Sequence, residues 1–305
     1  MSSKFYAIKN ALTVREGERK MHANSPSVLD YFMLLKPRVM ALVIFTSFCG
    51  YMLAPYSVHP FLAFVGILSI ALGAGASGCL NQWYEAKTDR MMIRTKNRPV
   101  ASNRIAKEEA FNFGMALSAL SLILMQISFG FAQCLFLAFT IFYYAYFYTV
   151  ILKPNTDQNI VIGGAAGAFP PMIGYFLAAP IDVFSVSLFL IIFLWTPAHF
   201  WALSFSLSAD YKQANIPILL NTKGAGYTAK AIYIYAILTT VMSFAPLILR
   251  DASIIVWGVV GIINVIWLYY ATALFVNIEK TQAMTLFFYS IFYLFALFLI
   301  FTLSL

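Results

Sequence analysis

Long apolar runs separated by short polar stretches set the rhythm of this chain. Nine windows, at about 38–56, 60–84, 107–128, 131–152, 158–179, 183–207, 228–249, 252–276 and 282–305, are apolar almost throughout. Each has roughly the ~20 residues that a helix needs to cross the hydrocarbon core of a bilayer. The pattern therefore predicts an all-α membrane protein, a bundle of nine transmembrane helices. The connections after the first, third and fifth windows are short, which predicts tight antiparallel hairpins. The first 35 residues are polar and mixed in charge, with no apolar h-region of a cleavable signal peptide. The expected organisation is a tail over 1–35 and a single polytopic domain over 36–305.

Composition excludes a soluble domain: 61% of the 305 residues are hydrophobic and 10% are charged, too few polar groups to cover a water-exposed surface. Charge then orients the bundle. With the N-terminus inside, seven Lys/Arg fall before or at the start of the first helix and seven between the second and third. Lys153, Lys212, Lys223, Lys230 and Lys280 complete the inner set, and the outer side holds only Arg250. The positive-inside rule places the N-terminus in the cytoplasm and the C-terminus outside. This topology accounts for the net charge of +8, so no nucleic-acid partner is needed. Cys49, Cys79 and Cys134 stand singly, and no disulfide or thiolate metal site is expected.

Candidate chemistry concentrates in NQWYEAKTDRMMIRTKNRP, Asn81–Pro99. Asn81, Glu85 and Asp89 sit at i, i+4 and i+8, one face of a helix. Lys87, Arg90, Arg94, Lys96 and Arg98 lie among and after them. Oxygen ligands suit a hard divalent cation and nearby bases suit phosphate, which together suggest a metal–diphosphate site. The alternative is a helix end followed by a solvated basic loop. The other polar stretches near spans, Tyr148–Asn159 and Asp210–Gly224, fall on the same inner side. Polar groups at spans are costly and therefore informative. A site built from these three places would open to the cytoplasm, with an apolar tail lying between helices.

These residues carry a resemblance. NQWYEAKTDRMMIRTKNRP resembles the Asn-xxx-Asp/Glu-xxx-Asp element of the UbiA-type intramembrane prenyltransferases. DQNIVIGGAAGAFPPMIG (Asp157–Gly174) and WTPAHFWALSFSLSADYKQANIPIL (Trp195–Leu219) narrow it to the haem-farnesylating branch of that family, over about residues 30 to 305. The resemblance implies nine helices around a central cavity and a Mg²⁺-dependent enzyme. Its reaction would join the farnesyl group of farnesyl diphosphate to a vinyl group of haem b (protohaem IX), with addition of water. The products would be haem O and diphosphate.

In that frame Asn81, Glu85, Asp89 and Asp210 are the candidate catalytic and metal-binding residues. Arg94, Lys96 and Arg98 match an RTxxRP segment and would neutralise diphosphate, with membrane anchoring as the alternative. Lys153 would reach the same phosphates or simply snorkel. Arg90 and Lys87 read as plain surface charges. Asp210 stands where related enzymes place a second acidic motif, but here it is followed by Tyr211 with no acid four residues either way. This departure leaves the second metal's coordination open: Asp210 would bind metal directly or through water, or only order Tyr211 and its loop. His199 would ligate haem iron, assist protonation, or hydrogen-bond a neighbouring helix near the Pro197 kink. Asn159 would bond substrate or cap a helix, and Asp157 is a weaker candidate in the same loop. Gly163, Gly164 and Gly167 read as close helix packing, as do the small residues of Gly73–Gly78.

The expected ligands and partners are membrane lipid, haem b, farnesyl diphosphate, Mg²⁺ and an enzyme that forms haem A. A bacterial inner membrane is preferred over a mitochondrial one, because the acidic residues in the tail do not suit a transit peptide. Other readings are a prenyltransferase for another aromatic or tetrapyrrole acceptor, a transporter, and a non-catalytic haem-binding assembly factor. A transporter would place its charges nearer the midplane.

Overall fold

A computed structural model describes residues 26–305, and every regular element among them is helical. Residues 1–25, which include most of the expected tail and His22, lie outside the described residues. Helix α1 (Val28–Leu34) opens with a capping box between Ser27 and Asp30. It meets α2 (Pro37–Met52) at 56°. Pro37 forces this bend: it disfavours helical geometry in the residue before it, and Lys36 adopts a left-handed φ of 55°. Leu34 of α1 is buried with Cys79, Val100 and Ile105, so the last residues of the expected tail pack onto the bundle.

Helix α3 (Pro60–Met91) is followed by a folded strap of turns over residues 92–106 and then by α4 (Lys107–Phe129). Helix α5 (Phe131–Phe142) runs directly into a π-helical segment, Tyr143–Leu152, and a last turn, Lys153–Asn155. After α6 (Asn159–Gly163) and α7 (Ala165–Phe176) come α8 (Val183–Gln213), α9 (Leu219–Ser243), α10 (Ala245–Leu249), α11 (Ile254–Val276) and α12 (Lys280–Ser304). Gly224, at φ 82°, kinks α9 near its start.

Seven of the described helices are long and apolar enough to cross a membrane, and the bent pair of α1 and α2 makes an eighth. The fifth window differs from its expectation. Gly164 divides it into α6 and α7, and Pro170 and Pro171 sit inside α7. The break is slight, since Gly164 keeps helical dihedrals and donates to the Ile160 carbonyl at 2.9 Å, and the prolines remove two backbone donors within α7 without ending it.

Each long helix packs on the next, and α12 returns to α2 to close the ring. Because lipid is as apolar as the helices, close packing and interhelical hydrogen bonds hold such a bundle. The α2–α7 contact depends on glycine. A Cβ on Gly50 would collide with the Pro171 carbonyl, and one on Gly174 with that of Ser47. Helices α9, α11 and α12 are stapled by Asn264, which donates to Ser243 Oγ and accepts from Tyr293 OH, both at 2.8 Å.

Candidate functional site

The inner face of α3 carries Asn81, Glu85 and Asp89, at 2%, 5% and 2% exposure. A buried charge is tolerated only when it is paired, and each of these residues meets a cation from a different part of the chain. Asn81 Oδ1 accepts from Lys36 Nζ at the α1–α2 bend, and its Nδ2 donates to Thr149 Oγ1 of the π-helical segment at 3.0 Å. Glu85 pairs with Lys153 at the end of that segment. Asp89 holds Arg98 of the strap, whose Nη1 lies 2.9 and 2.8 Å from the two carboxylate oxygens.

Local structure explains this convergence. Gly78 has no side chain to fend off the α1–α2 junction, so Lys36 Cδ and the Leu34 and Leu35 carbonyls come close. The π-helical turn is wider than an α-turn and is often found at functional sites. Here it sets Thr149 and, at its end, Lys153 against α3, and brings Tyr144 to Lys36 at the α1–α2 bend. The strap is pinned on three sides. Arg90 donates to Ala101 O and Asn103 Oδ1, Arg104 pairs with Asp30 at 2.7 Å, and Thr95 Oγ1 donates to Asp89 O. Arg90 therefore clamps the strap, a task beyond that of a plain surface charge.

The strap also reaches α8. The Arg94 N–H donates to Asp210 Oδ2 at 3.1 Å, while Tyr211 is buried with Met92, Ile216 and Ile218. Asp210 has no ion-pair partner among the described residues. The side chains of Arg94 and Lys96 are exposed on the strap. Asn159 is buried, and its amide donates to the carbonyls of Thr156 and Pro217, so it latches the loop before α6 to the residues before α9. Asp157 accepts from Thr222 Oγ1 at 2.7 Å.

Beside this polar cluster lies a partly open cavity of about 100 Å³ between α2, α3, α5 and α7. Lys36 and Tyr144 stand at its polar end, and Ile70, Leu137, Phe169 and Ile173 form apolar wall. Gly167 lines it, and a Cβ there would meet nothing within 4 Å. Its two fellow glycines behave otherwise: Gly163 is filled by the Tyr148 ring and Gly164 faces Thr196. His199 stands apart, with Nδ1 2.5 Å from Ser290 Oγ of α12.

The donor set suits Mg²⁺. All three α3 side chains offer hard oxygens on one buried face, and Mg²⁺ is usually held by one or two carboxylates together with water and substrate phosphates. Among the described residues no three His, Cys, Asp or Glu side chains cluster closely enough to hold a metal ion by themselves. Sequence reasoning missed Lys36, Tyr144 and Thr149. The only signal for Lys36 was its place before a proline at the mouth of an apolar run.

Comparison with known proteins adds to this geometry. Residues 43–299 match the UbiA prenyltransferase family. The chain is 44% identical over 293 residues to the protoheme IX farnesyltransferase of Rickettsia bellii (strain OSU 85-389), covering 95% of this chain and 98% of that one. It is 48% identical over 277 residues to the enzyme of the same name from Rhizobium johnstonii (strain DSM 114642 / LMG 32736 / 3841), covering 89% and 88%. A solved structure of digeranylgeranylglyceryl phosphate synthase superposes with a TM-score of 0.76 at 18% identity, covering 91% of this chain and 98% of that one. A UbiA homolog from Archaeoglobus fulgidus bound to GPP and Mg²⁺ gives a TM-score of 0.61 at 18% identity, covering 89% and 99%. These two structures support the fold alone.

Proposed function

Because the chain belongs to the UbiA prenyltransferase family, we propose that its site transfers the farnesyl group of farnesyl diphosphate to a vinyl group of haem b. Water adds in the same overall reaction, giving haem O and free diphosphate. One observation carries the choice of substrates: identity of 44% and 48%, over most of the chain, to enzymes named for this reaction. The geometry supports the donor half, because three cations and three oxygen-bearing side chains meet in one polar cluster, and Lys36 of that cluster also lines the apolar cavity beside it.

Ionisation of the allylic C–O bond leaves its electron pair on the diphosphate oxygen. Lys36, Lys153 and Arg98 are placed to neutralise that charge, with Arg94 and Lys96 adding to it from the strap. Asn81, Glu85 and Asp89 would hold Mg²⁺, with Asp210 contributing from α8. When bound, the metal supplies further charge stabilisation of the leaving diphosphate. The cavity wall accepts the farnesyl chain and keeps water from the allylic cation, and Tyr144 offers a π-face at the charged end. The vinyl group supplies the electrons of the new C–C bond, and water takes up the positive charge left on the vinyl-derived carbon and loses a proton. Tyr211 and His199 are assigned to the acceptor side, and Asn159 shapes the loop that closes the inner end.

The chain is a multi-pass membrane protein. We place its N-terminus in the cytoplasm and its C-terminus outside a bacterial inner membrane, with residues 36–305 as one prenyltransferase domain. In this reading α6 and α7 together complete the ninth crossing of the bundle, around a central chamber. An enzyme that converts haem O to haem A is the natural recipient of the product.

The test is incubation of purified protein with haem b, farnesyl diphosphate and Mg²⁺, followed by mass analysis of extracted haem. A hydrated, farnesylated haem is expected, absent after EDTA and absent with Glu85→Ala. Haem that binds unmodified, together with a prenylated product from another aromatic acceptor, would overturn the choice of acceptor. No product from any acceptor would favour the assembly-factor reading.

A further inference from the structure

His199 belongs to none of the contacts around the diphosphate site. It lies on α8 eleven residues before Asp210, about 16 Å along the helix at ~1.5 Å per residue. Its ring is held tightly. Trp195 stacks on it at 4.2 Å and Phe287 of α12 at 4.8 Å, with interplanar angles of 18° and 30°. Nδ1 lies 2.5 Å from Ser290 Oγ. The Ser290 oxygen also lies 2.5 Å from the Phe287 carbonyl, to which it donates.

Proton bookkeeping fixes the tautomer. Two oxygens at that separation need a proton between them, and a serine hydroxyl has only one. Ser290 spends it on the Phe287 carbonyl, so its oxygen can only accept from His199, and the ring proton sits on Nδ1. Nε2 is left as a bare lone pair. It has no hydrogen-bond partner among the described residues and is not among their fully enclosed polar atoms. The residue as a whole is half-buried.

We propose that His199 Nε2 coordinates the haem iron and so sets how the porphyrin lies in the chamber, with Ser290 as the positioning residue that fixes its tautomer and angle. An imidazole whose Nδ1–H is held by an acceptor is the usual form of a metal-ligating histidine, because the hydrogen bond orients the ring and raises its basicity. The same bookkeeping removes the alternative in which His199 hands a proton to the vinyl-derived intermediate, since Nε2 carries none. The ~16 Å between His199 and Asp210 along α8 is long enough to span one half of a macrocycle and a diphosphate. The proposal rests on haem b as the acceptor.

The experiment uses the full chain in detergent with ferrous haem b and no farnesyl diphosphate, read by resonance Raman for an iron–histidine stretch. Affinities for haem b and for metal-free protoporphyrin IX are measured alongside. The wild type is expected to show the stretch and to bind haem more than about tenfold more tightly than the metal-free ring. In His199→Ala the stretch should vanish and the preference should collapse, and in His199→Gly added imidazole should restore both. Ser290→Ala should keep the ligand but shift the stretch, a signature that a purely structural serine would not produce. A wild-type complex that is farnesylated on adding donor yet lacks the stretch, or keeps it in His199→Ala, would overturn this proposal alone. A wild type that binds no haem would overturn the acceptor reading and this proposal together.

Discussion

Asp89 and Arg98 form the contact in which stability and chemistry are most closely joined. Removing one member of a buried pair leaves a charge without a partner, at a cost of up to about 3 kcal/mol. Arg98→Ala is therefore expected to lower thermal stability, and Asp89→Asn in the same chain to recover most of it. Turnover should stay at least about a hundredfold down in the double variant, because the charged groups that face diphosphate are still missing. Thermal unfolding and product formation, measured on the three variants, separate the two effects. Recovery of activity along with stability would remove Asp89 and Arg98 from the chemistry. At this scale much was legible: the i, i+4, i+8 spacing picked out three side chains that the fold buries on one face of α3. Their cationic partners were only partly legible. Arg98 lies nine residues from Asp89, but Lys36 and Thr149 reach Asn81 from 45 and 68 residues away. No local pattern encodes such pairings.

The elements add a second layer of consequence, and the glycines of the Gly163–Gly167 segment make it testable. Gly167→Leu should fill the cavity and lower kcat/KM for farnesyl diphosphate by about tenfold or more, with unfolding temperature nearly unchanged, since nothing lies within 4 Å of its Cβ position. Gly163→Leu drives into the Tyr148 ring, and such overpacking costs about 1–3 kcal/mol. It should therefore unfold earlier than the wild type. The sequence reading treated the two glycines alike, because hydropathy and residue size do not record which side of a helix faces a void. The π-helical segment was equally hidden: YYAYFYTVIL is an ordinary apolar run until Thr149 and the following Lys153 are seen to reach α3, and Tyr144 to reach Lys36. The divided fifth window carried a visible warning in Gly163–Gly164 and Pro170–Pro171, which a count of apolar residues passes over.

For the molecule as a whole, the ring of helices is closed by α12 against α2, where Phe45 and Phe295 stack at 4.6 Å. The helical class and most of the long spans were readable from apolar length alone, because lipid permits few other ways to satisfy a backbone. The order of packing around the ring was not, since it depends on small-residue contacts such as Gly50 with Pro171 and on polar staples such as Asn264. Gly50→Val is expected to push α2 off α7 and to cost the bundle about 1–3 kcal/mol. Detergent-resistant folding, followed by thermal scattering, would register the loss.

The strap over residues 92–106 unites these scales, since it ties α1, α3 and α8 together while holding Arg94 and Lys96 out at the surface. It is thus an exposed tryptic target lying beside the site, in contact with Asp89 and Asp210. A ligand that draws those two side chains inward would shield the scissile bonds, so the lifetime of the intact chain under limited digestion becomes a gauge of occupancy. Digestion at Arg94 and Lys96 should slow severalfold with farnesyl diphosphate and Mg²⁺, and haem b alone should leave it unchanged.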